Sequence, residues 1–182
     1  MTQSSTVPIT DAYHPSAGGY DEFFAREAAA GPVRDHWRFM DEVLNDPESH
    51  WAEDQDASIR RLLNESAVTY FSEGSRRPWQ LDGLPFILDP NEWPALESGL
   101  IQRARLLNQI VADLYGPTTL LRGTLPQSLA FANPNYLLPS IGYQAPEGAY
   151  LSLLSFDLGR SPDGQWRVLA NRTEAPSGLG YA

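Results

Sequence analysis

The sequence has no cysteine, no long apolar run and few basic residues. The lack of cysteine excludes disulfides, thiolate zinc sites and cysteine nucleophiles. No apolar run approaches the roughly 20 residues that cross a bilayer, and residues 1–16 lack the basic start and apolar core of a signal peptide. Acids outnumber Lys plus Arg by 23 to 13, and the net charge of −10 disfavours nonspecific binding to nucleic acid or anionic membranes. We therefore expect a cytoplasmic protein that binds neither.

What the chain does contain is typical of a globular protein. It has 182 residues, of which 42% are hydrophobic and 11% aromatic, enough for one domain with its own core. Residues 1–19 are polar and interrupted by proline and glycine, so we expect a loose lead-in. Residues 20–182 are expected to form a single α+β domain. The chain stops directly after a glycine-bearing segment, which suggests that this domain is truncated at its C-terminal end.

The order of elements predicts the fold class. Apolar side chains at three- and four-residue spacing predict helices over 20–30, 33–44 and 57–64. The second helix should carry one apolar stripe, and the third should turn its apolar residues inward: Val33, Trp37, Met40 and Leu44 in the second, and Ile59, Leu62 and Leu63 in the third. Short strands are predicted over 67–71 and 129–132, and the loop over 72–78 should expose Arg76 and Arg77 to solvent. We expect an α+β protein in which N-terminal helices pack on a mixed or antiparallel sheet that ends in a β-hairpin.

The clearest helix is predicted over residues 90–115. Asp89 is the expected N-cap, and Glu92 is its expected capping-box partner. Gly116 and Pro117 should end the helix. One apolar stripe runs along its length: Trp93, Leu96, Leu100, Ala104, Leu107, Val111 and Leu114.

A β-hairpin is predicted near the C-terminal end. The apolar run 150–158 and the run 165–170 flank a turn with Pro162, Asp163 and Gly164, residues that favour a tight reversal. Asp157 is the acid in the first strand, where it should lie at a strand end or be paired. After the second strand, glycines within 176–180 would let backbone amides approach a ligand.

Residues 116–126, 133–136 and 157–181 resemble the circularly permuted ATP-grasp proteins, relatives of glutathionylspermidine synthetase. The likeness extends from about Tyr13 to the end and is most specific in 157–181. The resemblance implies a partial ATP-grasp architecture: the N-terminal segment of a ligase that joins a carboxylate to an amine through an acyl-phosphate. ATP and Mg²⁺ would be the cofactors, and the substrates would be an unidentified carboxylate and amine. This chain would supply one wall of the site, and the remainder of the parent polypeptide would supply the rest.

The resemblance also implies roles for individual residues. Asp157 matches the acid that binds magnesium in the synthetases. Arg172 is the candidate catalytic residue, because a guanidinium suits phosphate. Ser177, Gly178 and Gly180 are the candidate nucleotide-binding residues.

One position departs from the synthetase pattern, and it keeps a second function open. Ala170, Asn171 and Arg172 stand where the synthetases carry a Glu-x-Asn triplet of metal ligands. The alternative is therefore a noncatalytic, ATP-grasp-derived binding or scaffold protein. In that protein Asp157 pairs with Arg160 or Arg172, and the glycine segment is a plain turn. Whether the parent is an enzyme stays open, and this chain alone is expected to be inactive.

Overall fold

The computed structural model describes residues 13, 18–25, 31–67, 69–174 and 176. Two compact units meet in sequence between Pro90 and Asn91. Within the described residues, the units contain helices and two two-stranded antiparallel sheets, which confirms the α+β class. The division into a lead-in over 1–19 and one domain over 20–182 stays a prediction.

The helix predicted over 20–30 is wrong where the structure describes it. The Asp21 carboxylate accepts hydrogen bonds from the backbone N–H groups of Phe23, at 2.8 Å, and Phe24, at 2.6 Å. Phe24 is buried and pairs with Val33 in an isolated antiparallel bridge. A short acidic side chain that binds its own backbone competes with helix formation, and here it holds a turn instead. Residues 26–30 lie outside the described part.

Two helices of the first unit confirm the predicted periodicity in part. Helix α1 (Arg38–Asn45) follows a 3₁₀ turn (Asp35–Trp37), and its stripe is buried at Trp37 and Met40. Helix α2 (Trp51–Glu65) begins earlier than predicted. Leu62 was predicted to face inward, but its exposed fraction is 59%. Ile59 and Leu63, four residues apart on one face of the helix, are half-buried, and the Leu62 side chain points roughly 100° away from that of Leu63.

The first hairpin replaces the loop predicted over 72–78. Strand β1 (Thr69–Ser72) pairs with strand β2 (Ser75–Pro78). The turn residues Glu73 and Gly74 have φ values of 51° and 78°, as a type I′ turn requires. Arg76 and Arg77 are exposed as expected, but they lie on a strand.

The second unit begins with the longest described helix, α3 (Trp93–Leu114). Its predicted stripe is half-buried from Leu96 to Leu114, whereas Trp93 in the first turn is exposed. The N-cap of α3 is Glu92 and not the predicted Asp89, and the Glu92 side chain makes no capping hydrogen bond. Pro94 in the first turn favours the start of the helix, because the ring of proline fixes φ at a helical value. No helix among the described residues is long and apolar enough to cross a membrane.

Two short helices follow, α4 (Thr119–Gly123) and α5 (Gln127–Phe131). Asp113 caps α4, since its carboxylate accepts the backbone N–H groups of Thr119 and Leu120, both at 2.9 Å. The strand predicted over 129–132 is wrong, because that run belongs largely to α5 and its Ala130 is buried. A short apolar run fits a strand and a buried helical turn equally well.

The second hairpin was predicted correctly, but both of its strands lie further along the chain than predicted. Strand β3 (Ser155–Arg160) pairs with strand β4 (Trp166–Arg172). The strand does not start at residue 150, because the Asn108 side-chain oxygen accepts the N–H groups of Tyr150 and Leu151, at 2.8 and 3.0 Å. These backbone groups are thus bonded to α3 and not to a neighbouring strand. Two further 3₁₀ turns, Leu138–Ser140 and Pro146–Gly148, precede this point.

Candidate functional site

Asp157 and Arg172 form a two-pronged ion pair on the second hairpin. Asp157 lies opposite Ala170 in the register, so Arg172 is its diagonal neighbour on the same face. The Arg172 Nε donates to both carboxylate oxygens of Asp157, at 3.0 and 3.1 Å, and Nη2 donates to Oδ2 at 2.7 Å. Both side chains are partly exposed. The structure therefore brings the candidate metal ligand and the candidate catalytic residue together.

The two charges stabilise each other. The hydrogen bond from Arg172 holds the pKa of Asp157 below its usual value, and the positive charge of the guanidinium adds to this effect. The same contacts raise the pKa of Arg172. Asp157 is therefore an anion whose charge is already balanced by a neighbouring cation.

A complete metal site is not present in the part of the chain that the structure describes. No three His, Asp or Glu side chains are grouped there so that they could hold a metal ion. Mg²⁺ takes oxygen ligands in octahedral geometry and usually keeps several waters, with one or two protein carboxylates. Asp157 fits the role of one such carboxylate.

A second cluster on this hairpin was missed by the sequence reasoning. Arg160 is only 7% exposed. Its Nη2 donates to Glu92 Oε2 at 2.8 Å, its Nη1 donates to the Gly164 carbonyl at 3.0 Å, and its guanidinium lies 4.0 Å from the centre of the Trp166 ring. Trp166 Nε1 donates to the same Glu92 oxygen at 3.1 Å. These contacts attach the hairpin to the start of α3.

The cluster decides which arginine pairs with Asp157. Because Arg160 is engaged by Glu92, the pairing left open between Arg160 and Arg172 falls to Arg172. Glu92 and Arg160 are 68 positions apart in sequence, and no local sequence pattern predicts their contact. A groove of about 490 Å³ adjoins the cluster, with Ala95, Leu96, Gly99 and Leu100 of α3 in its lining.

The remaining candidate residues are not described by the structure. Ser177, Gly178 and Gly180 lie outside the described residues, although Pro176 lies within them. Their nucleotide-binding role stays a prediction.

Comparison with known proteins identifies the family of this chain. The family model for circularly permuted ATP-grasp type 2 matches residues 85–182, which include Glu92, the second hairpin and the glycine segment. The chain belongs to this family. The ATP-grasp assignment is thereby confirmed at the level of the family.

Several longer proteins are similar to this family member. An uncharacterized protein of Mycobacterium tuberculosis is 36% identical over 177 residues, which cover 90% of this chain and 20% of the relative. Another from the same organism is 28% identical over 166 residues, covering 91% of this chain and 30% of the relative. An uncharacterized protein of Synechocystis is 34% identical over 110 residues, covering 60% of this chain and 23% of the relative. The chain thus spans less than a third of each.

Proposed function

We propose that this chain contributes one wall of the Mg–ATP site of a carboxylate–amine ligase that works through an acyl-phosphate. Membership in the ATP-grasp family supports a nucleotide site in general. The observation that carries the proposal is the Asp157–Arg172 pair, which presents a carboxylate and a guanidinium side by side on a partly exposed hairpin face. We also place the chain in the glutathionylspermidine synthetase-like branch, on the resemblance of residues 157–181.

In this proposal each residue keeps a distinct role. Asp157 would hold Mg²⁺, since carboxylate oxygens are what this hard cation selects. Arg172 would bind phosphate oxygens with the same two-pronged geometry that it now uses on Asp157. Ser177, Gly178 and Gly180 would bring backbone N–H groups to the nucleotide. Magnesium, when bound, would neutralise phosphate charge.

One observation favours the noncatalytic alternative. The Asp157 carboxylate is already engaged by Arg172, and neither Ala170 nor Asn171 offers an anionic oxygen beside it. In this second candidate function the ion pair fastens the two strands, and the ATP-grasp fold serves to bind or scaffold a partner. Because the pair is compatible with both functions, the affinity for nucleotide must separate them.

The test is a titration of the folded 182-residue chain with Mg–ATP, followed by NMR of the backbone amides. We expect saturable shifts in β3 and β4, with Mn²⁺ in place of Mg²⁺ broadening the signals nearest Asp157. Asp157→Asn should weaken binding by about ten- to a hundredfold, as expected for loss of a charge-assisted contact. Asp163→Asn is the matched control, because Asp163 lies in the turn of the same hairpin and is also exposed.

Equal affinities for the wild type and a folded Asp157→Asn variant would contradict the proposal and support the scaffold. Hydrolysis is expected to be absent in either case, because a ligase site needs groups on both sides of the phosphates. Saturable, magnesium-dependent ATP hydrolysis by the pure chain would show that more than one wall is present.

A further inference from the structure

An unusual stretch of the second unit carries no charge. Residues 123–146 contain no Asp, Glu, Lys, Arg or His, although charged residues make up 20% of the chain. We call these residues the uncharged segment. Seven of its large apolar side chains are exposed: Leu125, Leu129, Phe131, Leu137, Leu138, Ile141 and Tyr143. The segment thus combines exposure with the composition of an interior.

The uncharged segment is attached firmly to the end of α3. Tyr136 stacks on Tyr115 with ring centres 5.0 Å apart, and its hydroxyl donates to the Leu114 carbonyl at 3.0 Å. The Leu137 N–H donates to the Tyr115 hydroxyl at 3.2 Å, and the Gly142 N–H donates to the Tyr115 carbonyl at 2.7 Å. These bonds hold the backbone while the neighbouring leucines point outward. The exposed side chains of Leu137, Leu138 and Ile141 therefore lie on a backbone that is held in place.

The exposed Leu62, on a helix of the first unit, has different surroundings. Leu62 on α2 is 59% exposed, but it lies beside Arg60, Arg61 and Glu65 in the sequence. Single apolar residues among charges are normal on a protein surface. A group of them without any charge is typical of the centre of an interface, where charged residues are depleted.

We propose that the uncharged segment is the docking surface for polypeptide of the kind that the relatives of this ATP-grasp family member carry beyond their match to this chain. The M. tuberculosis relative with 36% identity is matched over only 20% of its length, so about four fifths of it is additional polypeptide. A second copy of this chain is the poorer occupant, because each copy carries a net charge of −10 and the copies repel each other. The docking requires no nucleotide, so its test is independent of the test of the proposed Mg–ATP site.

The experiment places this chain in the context of its relative. In the full-length M. tuberculosis protein, the matched region is exchanged for the 182-residue chain to give a chimera. Hydroxyl-radical footprinting then compares the labelling of Leu129, Leu138 and Tyr143 in the chimera and in the 182-residue chain. We expect labelling of all three to fall several-fold in the chimera, without added nucleotide.

Charge substitutions provide the second measurement. Leu138→Glu changes a side chain that is 67% exposed in this chain, so it should leave the Tm of the 182-residue chain unchanged. It should lower the Tm of the chimera by several degrees, because the new carboxylate would be buried at the interface. Leu62→Glu is the matched control, because it makes the same charge change at a similarly exposed leucine. It should leave the Tm of the 182-residue chain and the Tm of the chimera unchanged.

Three results would overturn the proposal. Equal labelling in the chimera and the chain would show that nothing covers the segment. A dimer of the 182-residue chain that Leu138→Glu converts to monomer would assign the surface to a second copy. A chimera that fails to fold, where the relative itself folds, would show that the surface does not fit this polypeptide.

Discussion

The two hairpins of this protein share one plan and differ in how they are held. Both are two-stranded and antiparallel, and both turns contain a glycine with positive φ, 78° at Gly74 and 80° at Gly164. In the first hairpin the described strand side chains are exposed, whereas every residue of β3 is half-buried. A two-stranded hairpin is at best marginally stable in water without further packing. The turn chemistry therefore builds both hairpins, but the contacts outside the strands distinguish them.

Each hairpin also has an arginine that pairs with a glutamate, and the two N–O distances are similar. Arg77 Nη2 lies 2.6 Å from Glu73 Oε2, and Arg160 Nη2 lies 2.8 Å from Glu92 Oε2. The first pair is exposed and joins residues four apart, while Arg160 is nearly buried. Exposed pairs contribute little to stability, but a buried charge that loses its partner is costly. Distance alone thus does not predict the contribution of an ion pair.

The largest expected effect is that of Glu92→Ala. This change removes the acceptor of both Arg160 and Trp166 and leaves a nearly buried guanidinium without its carboxylate. We expect the second hairpin to lose about 2–4 kcal/mol of local stability. Native-state hydrogen exchange of the β3 and β4 amides measures this loss. A change below about 0.5 kcal/mol would show that the long-range pair does not hold the hairpin.

A smaller effect is expected from Arg172→Gln. Arg172 lowers the pKa of Asp157 in the folded chain. The pair therefore stabilises the hairpin fully at pH values above 3.8, the ordinary pKa of aspartate, and this contribution is lost as the pH falls through the lowered pKa. Removing the guanidinium should return the pKa of Asp157 toward 3.8. Carboxyl-carbon NMR titration measures it.

Asp163 provides an internal reference for this titration. Its pKa is lowered mainly by the Ser161 hydroxyl and should not respond to Arg172→Gln. If the pKa of Asp157 is equal in the wild type and the variant, Arg172 does not stabilise the Asp157 anion and the prediction is wrong.

The smallest effect is expected from Glu73→Ala in the first hairpin. The exposed pair with Arg77 should contribute less than about 0.5 kcal/mol, measured by hydrogen exchange of the β1 and β2 amides. Gly74→Ala serves as a positive control, since its positive φ should cost roughly 1 kcal/mol with a side chain present. A loss from Glu73→Ala as large as that from Glu92→Ala would erase the distinction between the two hairpins.

Where neighbouring residues decide the structure, the sequence predicted it well. The stripe of α3 from Leu96 to Leu114 and the turn at Pro162 and Gly164 both follow from spacing and backbone preference within a few residues. The helix predicted over 20–30 is wrong in its described part, 20–25, because the Asp21 carboxylate accepts hydrogen bonds from the backbone N–H groups of Phe23 and Phe24, and periodicity does not detect this local competition. The first hairpin was missed because Glu73–Gly74 is a less familiar pair for a type I′ turn than Asn–Gly.

Only part of the candidate site could be predicted from the sequence. Asp157 could be recognised as an acid that needs a partner, and two arginines were within reach in sequence. The β-bulge between Asp157 and Leu158 and the register opposite Ala170 place Arg172 on the same face, and Glu92 engages Arg160. The roles of Asp157, Arg172, Ser177, Gly178 and Gly180 in binding nucleotide stay predictions.

Local sequence by itself determined the periodic face of α3, the turn of the second hairpin and the family. It did so because side-chain spacing and the φ preferences of proline and glycine act over a few residues. Only the tertiary structure decided the partners of Glu92 and Asn108. Glu92 accepts a hydrogen bond from Arg160, and Asn108 accepts one from the backbone N–H of Tyr150, so that β3 does not begin at residue 150 as predicted. Each of these polar groups could bond to many partners in the unfolded chain. The folded backbone brings particular partners within hydrogen-bonding distance, and which partners these are depends on segments tens of residues away.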